Sequence, residues 1–177
     1  MEEIEVKILE IDRKKVEQKL ISLGAQKVFD GEMQTYFFDK PDRSLREQRI
    51  TLRVRTEGKK TMLTIKTLVE NSVSSAAKRR NETEVEVSDF EKTRQLLEAL
   101  GFLVDLEMKK RRISYQLSGV HFEIDRYLGE YDYIPEFLEI EAQDEKTIFK
   151  YVKLLGFTKE ECKPWSWKEL VEKYGRN

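Results

Sequence analysis

Glu3-Ile4-Glu5-Val6-Lys7-Ile8, close to the start of the chain, alternates charged and apolar residues with a period of two. Successive side chains of a β-strand point to opposite faces, so Glu3, Glu5 and Lys7 share one face and Ile4, Val6 and Ile8 the other. A wet sheet face explains one such strand. What makes this stretch decisive is that the pattern returns along the chain with the same residue types.

Period-two segments recur at Thr35–Asp39, Thr51–Arg55, Met62–Thr67, Lys109–Leu117 and His121–Asp125. Arg53 and Arg55 oppose Leu52 and Val54, and Lys66 shares a face with Thr64 against Leu63 and Ile65. Arg80, Glu82, Glu84 and Glu86 oppose Thr83, Val85 and Val87, while Lys110, Arg112 and Ser114 oppose Ile113 and Tyr115. Glu123 and Asp125 oppose Phe122 and Ile124, and Glu139 and Glu141 oppose Leu138 and Ile140. Solvent-facing strand positions ordinarily mix Thr, Ser, Gln and Lys, whereas here Arg, Lys and Glu recur on nearly every strand.

Three helices are placed by their ends. Asp12, Ser88 or Asp89, and Asp144 are N-cap residues, and Gly24, Gly101 and Gly156 are stops after Leu23, Leu100 and Leu155. Each follows a glutamate-bearing strand, a weak internal echo. A last helix is expected from Ser166 through Tyr174. Pro41–Gln48 and Glu70–Arg79 offer little to pack and read as mobile. No Pro-, Gly- or Ser-rich linker divides the chain, so residues 1–177 are expected to form one α+β domain dominated by antiparallel strands.

Of the 177 residues, 33 are Lys or Arg and 34 are Asp or Glu, for a net charge of −1. That is a 38% charged chain, against about one-quarter in an ordinary soluble domain. The balance argues against a nucleic-acid binder, which would show a lopsided sum. A single Cys and a single His leave no disulfide and make zinc or Ser-His chemistry a poor fit. Neither a signal peptide nor an apolar span of roughly 18 residues is present, so a cytoplasmic location without membrane attachment is expected.

If the sheet curls with its apolar face under the helices, the charged faces meet inside a barrel. A bore lined with Lys7, Arg53, Arg55, Lys66, Arg80, Lys110 and Arg112 suits a polyphosphate, because guanidinium forks pair phosphate oxygens and lysines add point charges. The pairs Glu3/Glu5 and Glu139/Glu141 offer hard oxygen ligands for Mg²⁺ or Mn²⁺.

In these residues the sequence resembles the CYTH superfamily of triphosphate tunnel enzymes, which joins class IV adenylate cyclases with thiamine triphosphatases and inorganic triphosphatases. The family's Glu-x-Glu-x-Lys motif stands as Glu3-Ile4-Glu5-Val6-Lys7. The likeness continues through Tyr36-Phe37-Phe38-Asp39, Leu52-Arg53-Val54-Arg55, Leu63-Thr64-Ile65-Lys66 and Arg80-Asn81-Glu82-Thr83-Glu84. Lys110-Arg111-Arg112, Ile124-Asp125 and Leu138-Glu139-Ile140-Glu141 complete it.

The resemblance implies an eight-stranded antiparallel β-barrel covered by helices, with the seven basic residues on the triphosphate and Glu3, Glu5, Glu139 and Glu141 on one or two divalent metals. Glu82, Glu84 and Asp125 would be supporting carboxylates, and Glu5, Lys66, Lys110 and Arg112 the catalytic candidates. The wording EVEVSDFEKT and FLEIEA is similar to the class IV adenylate cyclase branch. Val6 stands where short bacterial tripolyphosphatases carry Arg. Residues 130–136, EYDYIPE, depart from the cyclase pattern and lengthen a loop near the tunnel mouth.

The expected reaction is conversion of ATP to cyclic AMP and pyrophosphate. Hydrolysis of inorganic tripolyphosphate or an organic triphosphate such as thiamine triphosphate, and non-catalytic polyphosphate or nucleotide sensing, stay open, as does a homodimer.

Overall fold

A computed structural model describes residues 2–69 and 77–175, the side chains of Glu2 and Glu3 excepted. Its strands are β1 (Glu2–Leu9), β2 (Gln26–Asp39), β3 (Thr51–Glu57), β4 (Lys60–Leu68), β5 (Lys78–Val87), β6 (Leu103–Leu117), β7 (Val120–Leu128), β8 (Phe137–Ala142) and β9 (Cys162–Lys163). Its helices are α1 (Arg13–Ser22), α2 (Ser44–Glu47), α3 (Phe90–Ala99), α4 (Glu145–Leu155) and α5 (Trp167–Tyr174).

Eight strands follow one another in the order β5-β4-β3-β2-β6-β7-β8-β1, and β5 returns to β1 to close an antiparallel barrel. The closing seam is short: Glu2, Glu3, Ile4 and Glu5 face Asn81, Arg80, Arg79 and Lys78. Farther along the same edge of β1, Lys7 and Ile8 pair with Lys163 and Cys162 of β9.

The barrel is lined and covered as the strand parity requires. Ile4, Val6, Ile8, Phe122, Ile124, Leu138 and Ile140 face outward into the main core beneath α1 and α4, where Val16, Leu20, Ile148, Val152 and Leu155 meet them. Phe38 and Val54 pack outward against Leu97 of α3. At one end the inward-facing residues themselves turn apolar. Met108, Tyr127 and Phe137 join Ile134 and Leu170 in a buried cluster, so α5 packs across that end, with Trp165, Trp167 and Tyr174 beside it.

Asp12, Asp89 and Asp144 cap α1, α3 and α4 by accepting from the backbone N–H of Lys15, Lys92 and Thr147. Gly24, Gly101 and Gly156 follow with φ of 87°, 91° and 87°, the left-handed conformation that favours glycine at a helix end. Ser166 and Glu169 form a capping box at the head of α5.

Three expectations change. Strands β2 and β6 extend well before Thr35 and Lys109, pairing from Gln26↔Gln116 to Asp39↔Leu103. Pro41–Gln48 is not a featureless loop: the Asp39 carboxylate accepts from the backbone N–H of Lys40, Leu45 and Arg46 and sets up α2. Of the stretch Glu70–Arg79, residues 70–76 lie outside the described residues, whereas Lys78 and Arg79 belong to β5. The insertion at 130–136 packs down through Ile134, 1% exposed, onto the apolar end of the barrel. Among the described residues no helix is long and apolar enough to cross a membrane.

Candidate functional site

The bore is assembled from alternate residues of all eight strands. Registers fix who meets whom: Glu5 lies opposite Glu141, Lys7 opposite Glu139, Glu123 opposite Glu139, Arg112 opposite Asp125, and Arg53 opposite Thr64. Lys66 lies opposite Glu82, and Thr64 opposite Glu84.

Three ion-pair groups line the wall. In the first, Lys78 Nζ and Lys7 Nζ donate to Glu5 Oε1 at 2.8 and 3.5 Å. Lys7 also pairs with Glu139. In the second, Arg112 Nε and Nη2 donate to Asp125 Oδ1 and Oδ2 at 2.7 and 2.6 Å, while Lys110 Nζ donates to Oδ2 at 2.6 Å. The remaining Arg112 nitrogen pairs with Glu123. In the third, Lys66 Nζ lies 2.5 Å and Arg53 Nη2 3.8 Å from Glu82. Arg55 Nη2 and Thr64 Oγ1 donate to Glu84 Oε2 at 3.2 and 2.6 Å.

These groups ionise unequally. Burial works against the charged Glu5 carboxyl, but Lys7, Lys78 and Lys66 outweigh it and hold the group well below the usual carboxylate range. Asp125 is likewise buried, yet Arg112 and Lys110 hold it low. Arg112 is desolvated but raised by Asp125 and Glu123. Lys110 goes the other way: burial and the neighbouring Arg112 pull it down to about 8, against the attraction of Asp125. Burial and the adjacent Arg55 also lower Arg53. Glu123 is raised, first by burial and then by Glu139 and Asp125, against Arg112.

The sequence-derived candidates therefore converge on one bore, with two qualifications. Glu3 occupies β1 opposite Arg80, but its side chain lies outside the described residues. Arg80 sits at the rim, where Nη1 donates to the carbonyl of Arg49 at 2.9 Å. Lys78, Glu123 and Thr64 are bore residues that strand reading did not place among the candidates. Lys78 was legible: the alternation Arg80, Glu82, Glu84 extended back by two residues reaches it.

Among the described residues no cluster of three or more His, Cys, Asp or Glu is drawn together around a metal position. The donor chemistry nevertheless fits a hard divalent cation. Glu5 and Glu139 both turn toward a single cation, the Lys7 ammonium, and Glu141 lies directly across the strand pair from Glu5. Carboxylate oxygens are the ligands that Mg²⁺ and Mn²⁺ prefer.

The CYTH domain family matches residues 1–161 of this chain. The chain belongs to the CYTH family. This CYTH chain is 31% identical over 141 residues to a Methanocaldococcus jannaschii protein provisionally named an adenylate cyclase, covering 80% of this chain and 77% of that one. It superposes on the PH1012 protein of Pyrococcus horikoshii with a TM-score of 0.75 at 30% identity, covering 95% and 98% of the two chains. A Hippeastrum protein, whose structure is reported with a dominant triphosphatase activity, shares the CYTH fold at 18% identity and a TM-score of 0.70, covering 99% and 97%.

Proposed function

We propose that this protein is a divalent-metal-dependent enzyme that acts on a nucleoside triphosphate inside the barrel, as an adenylate cyclase of the class IV kind. One observation carries the triphosphate reading: Nε of Arg53 and Nε of Arg55 are buried in the bore with no hydrogen-bond partner. Buried donors without acceptors are costly, and guanidinium forks pointing into a charged bore are matched by phosphate oxygens.

Charge balance supports a metal-bound anion over a bare one. Lys7, Arg53, Arg55, Lys66, Lys78, Lys110 and Arg112 are interleaved with Glu5, Glu82, Glu84, Glu123, Asp125, Glu139 and Glu141, so the bore is close to neutral by itself. A polyanion entering a nearly neutral, desolvated space is favoured when it brings cations with it. Glu5, Glu139 and Glu141, with Glu3, would hold the metal, which supplies charge neutralisation and orientation of the reacting phosphate. Lys66, Lys110 and Arg112 would take the charge that gathers on pyrophosphate. The name of the M. jannaschii relative favours cyclisation.

The test is incubation with ATP and, separately, with tripolyphosphate, in Mg²⁺ or Mn²⁺, resolving cyclic AMP, pyrophosphate and orthophosphate. Cyclic AMP with pyrophosphate is expected. Orthophosphate without cyclic AMP would replace cyclisation by hydrolysis in the same tunnel, and no turnover of either substrate would sink the enzyme reading.

A further inference from the structure

Among the described residues four helix ends close with the same pair of hydrogen bonds, and one of the four does so without glycine. After α1, Gly24 N–H donates to Ile21 and Ala25 N–H to Leu20. After α3, Gly101 and Phe102 do the same to Glu98 and Leu97, and after α4, Gly156 and Phe157 to Lys153 and Val152. After α2 the same pair of bonds runs from Arg49 N–H to Arg46 and from Ile50 N–H to Leu45. The left-handed position is glycine at three ends and Arg49, φ 56°, at the fourth. A side chain there costs roughly 1–2 kcal/mol that glycine avoids.

Arg49 is also where the bore begins. Its carbonyl accepts from Arg80 Nη1 at 2.9 Å, and it lies two residues before Thr51, whose cross-strand partner is Lys66. Burial lowers Arg80 first, against the opposing pull of Glu5, and the positive charge of Arg49 adds to the lowering. Arg49 is exposed, and no described carboxylate pairs with it. The Arg80 guanidinium, held at the rim by the Arg49 carbonyl, and the exposed side chain of that same Arg49 offer two cationic forks to an oxyanion.

We propose that Arg49 and Arg80 form a clamp at the rim of the bore that grips the terminal phosphate of the bound triphosphate. Arg49 thus supplies a cation beyond the strand-borne set, and the left-handed backbone is tolerated for that contact. This inference rests on the triphosphate reading and extends the binding surface outward from it.

The test is calorimetric titration of inorganic tripolyphosphate with Mg²⁺ into the unaltered protein, Arg49→Gly and Arg49→Lys, with thermal melts of each. Arg49→Gly is expected to lose about tenfold in affinity, to show a shallower salt dependence, and to melt at the same or a higher temperature. Arg49→Lys is expected to bind within a few-fold of the unaltered protein. Undiminished affinity in Arg49→Gly overturns the clamp and leaves the tunnel standing. Lost affinity accompanied by a lower melting temperature also overturns it, since that marks a structural role. Absence of binding by the unaltered protein overturns both.

Discussion

Arg112 grips Asp125 through two parallel hydrogen bonds, 2.7 and 2.6 Å long, across the β6–β7 pair. Asp125 is fully buried, and the same carboxylate also takes the Lys110 ammonium. Removing one partner of a buried pair leaves the other charge uncompensated. Asp125→Asn is therefore expected to lose about 3–5 kcal/mol of stability in urea unfolding. The acid limb should change as well. A carboxyl held low in the fold contributes stability above its unfolded value near 3.9 and loses it as pH falls through the folded one. The Asn variant should show a flatter decline below about pH 4.

Lys110, pulled down to about 8, predicts a pH dependence of binding. An anionic ligand favours the charged ammonium, so affinity for tripolyphosphate should fall as pH rises through 8, with proton uptake on binding in that range. Titrations in buffers of different ionisation heat would read the uptake, and Lys110→Met should abolish it. For the fold without ligand the sign is opposite. From about 8 to the ordinary lysine value near 10.4 the unfolded chain holds a proton that the folded chain has lost, so this group adds stability as pH rises.

Glu5→Gln tests the metal assignment. Mn²⁺ affinity, followed by calorimetry, should drop at least tenfold to hundredfold, on the order seen when metal-site partners are removed, and turnover should fall with it. The melting temperature should also fall somewhat, because Lys78 loses its 2.8 Å partner. Unchanged Mn²⁺ binding would remove β1 from the site.

Arg53→Ala separates binding from folding. Losing a charged hydrogen-bonding group costs roughly 1.5–3 kcal/mol of ligand affinity, or about ten- to a hundredfold in Kd. Stability should change little, since Arg53 stands 3.8 Å from its carboxylate and beside the like charge of Arg55. Equal tripolyphosphate affinity in the variant would contradict the tunnel assignment.

Period two was enough to sort inward from outward residues on β1, β3, β4, β7 and β8, because one face meets helices and the other meets charge. It was weaker on the first half of β2. There Gln26, Lys27 and Val28 are all exposed, so the sequence carries little contrast between faces. Helix α2 was hidden for another reason: its N-terminal N–H groups are satisfied by Asp39, which precedes the segment and belongs to a strand. Lys78 ends a stretch of sequence rich in Ser, Ala and Asn, so parity with Arg80, Glu82 and Glu84 is the one local signal that points to it. Its partner Glu5 lies on another strand, and pairing at that range is written in no local pattern.

The four-residue seam between β1 and β5 is also the place where Glu5 meets Lys78, 73 positions away along the chain. Contacts of that separation demand loop-closure entropy before they return anything, so they form late in folding. The β1–β8 pair, where Lys7 meets Glu139 across 132 positions, is later still by the same measure, so both seams that complete the proposed metal wall belong to the late steps. A chain stalled before closure would present an open, curled sheet with half a site. If the proposed activity holds, it would report that the ends of the sheet have met, and a metal held at Glu5 would act as a fastener on the finished barrel.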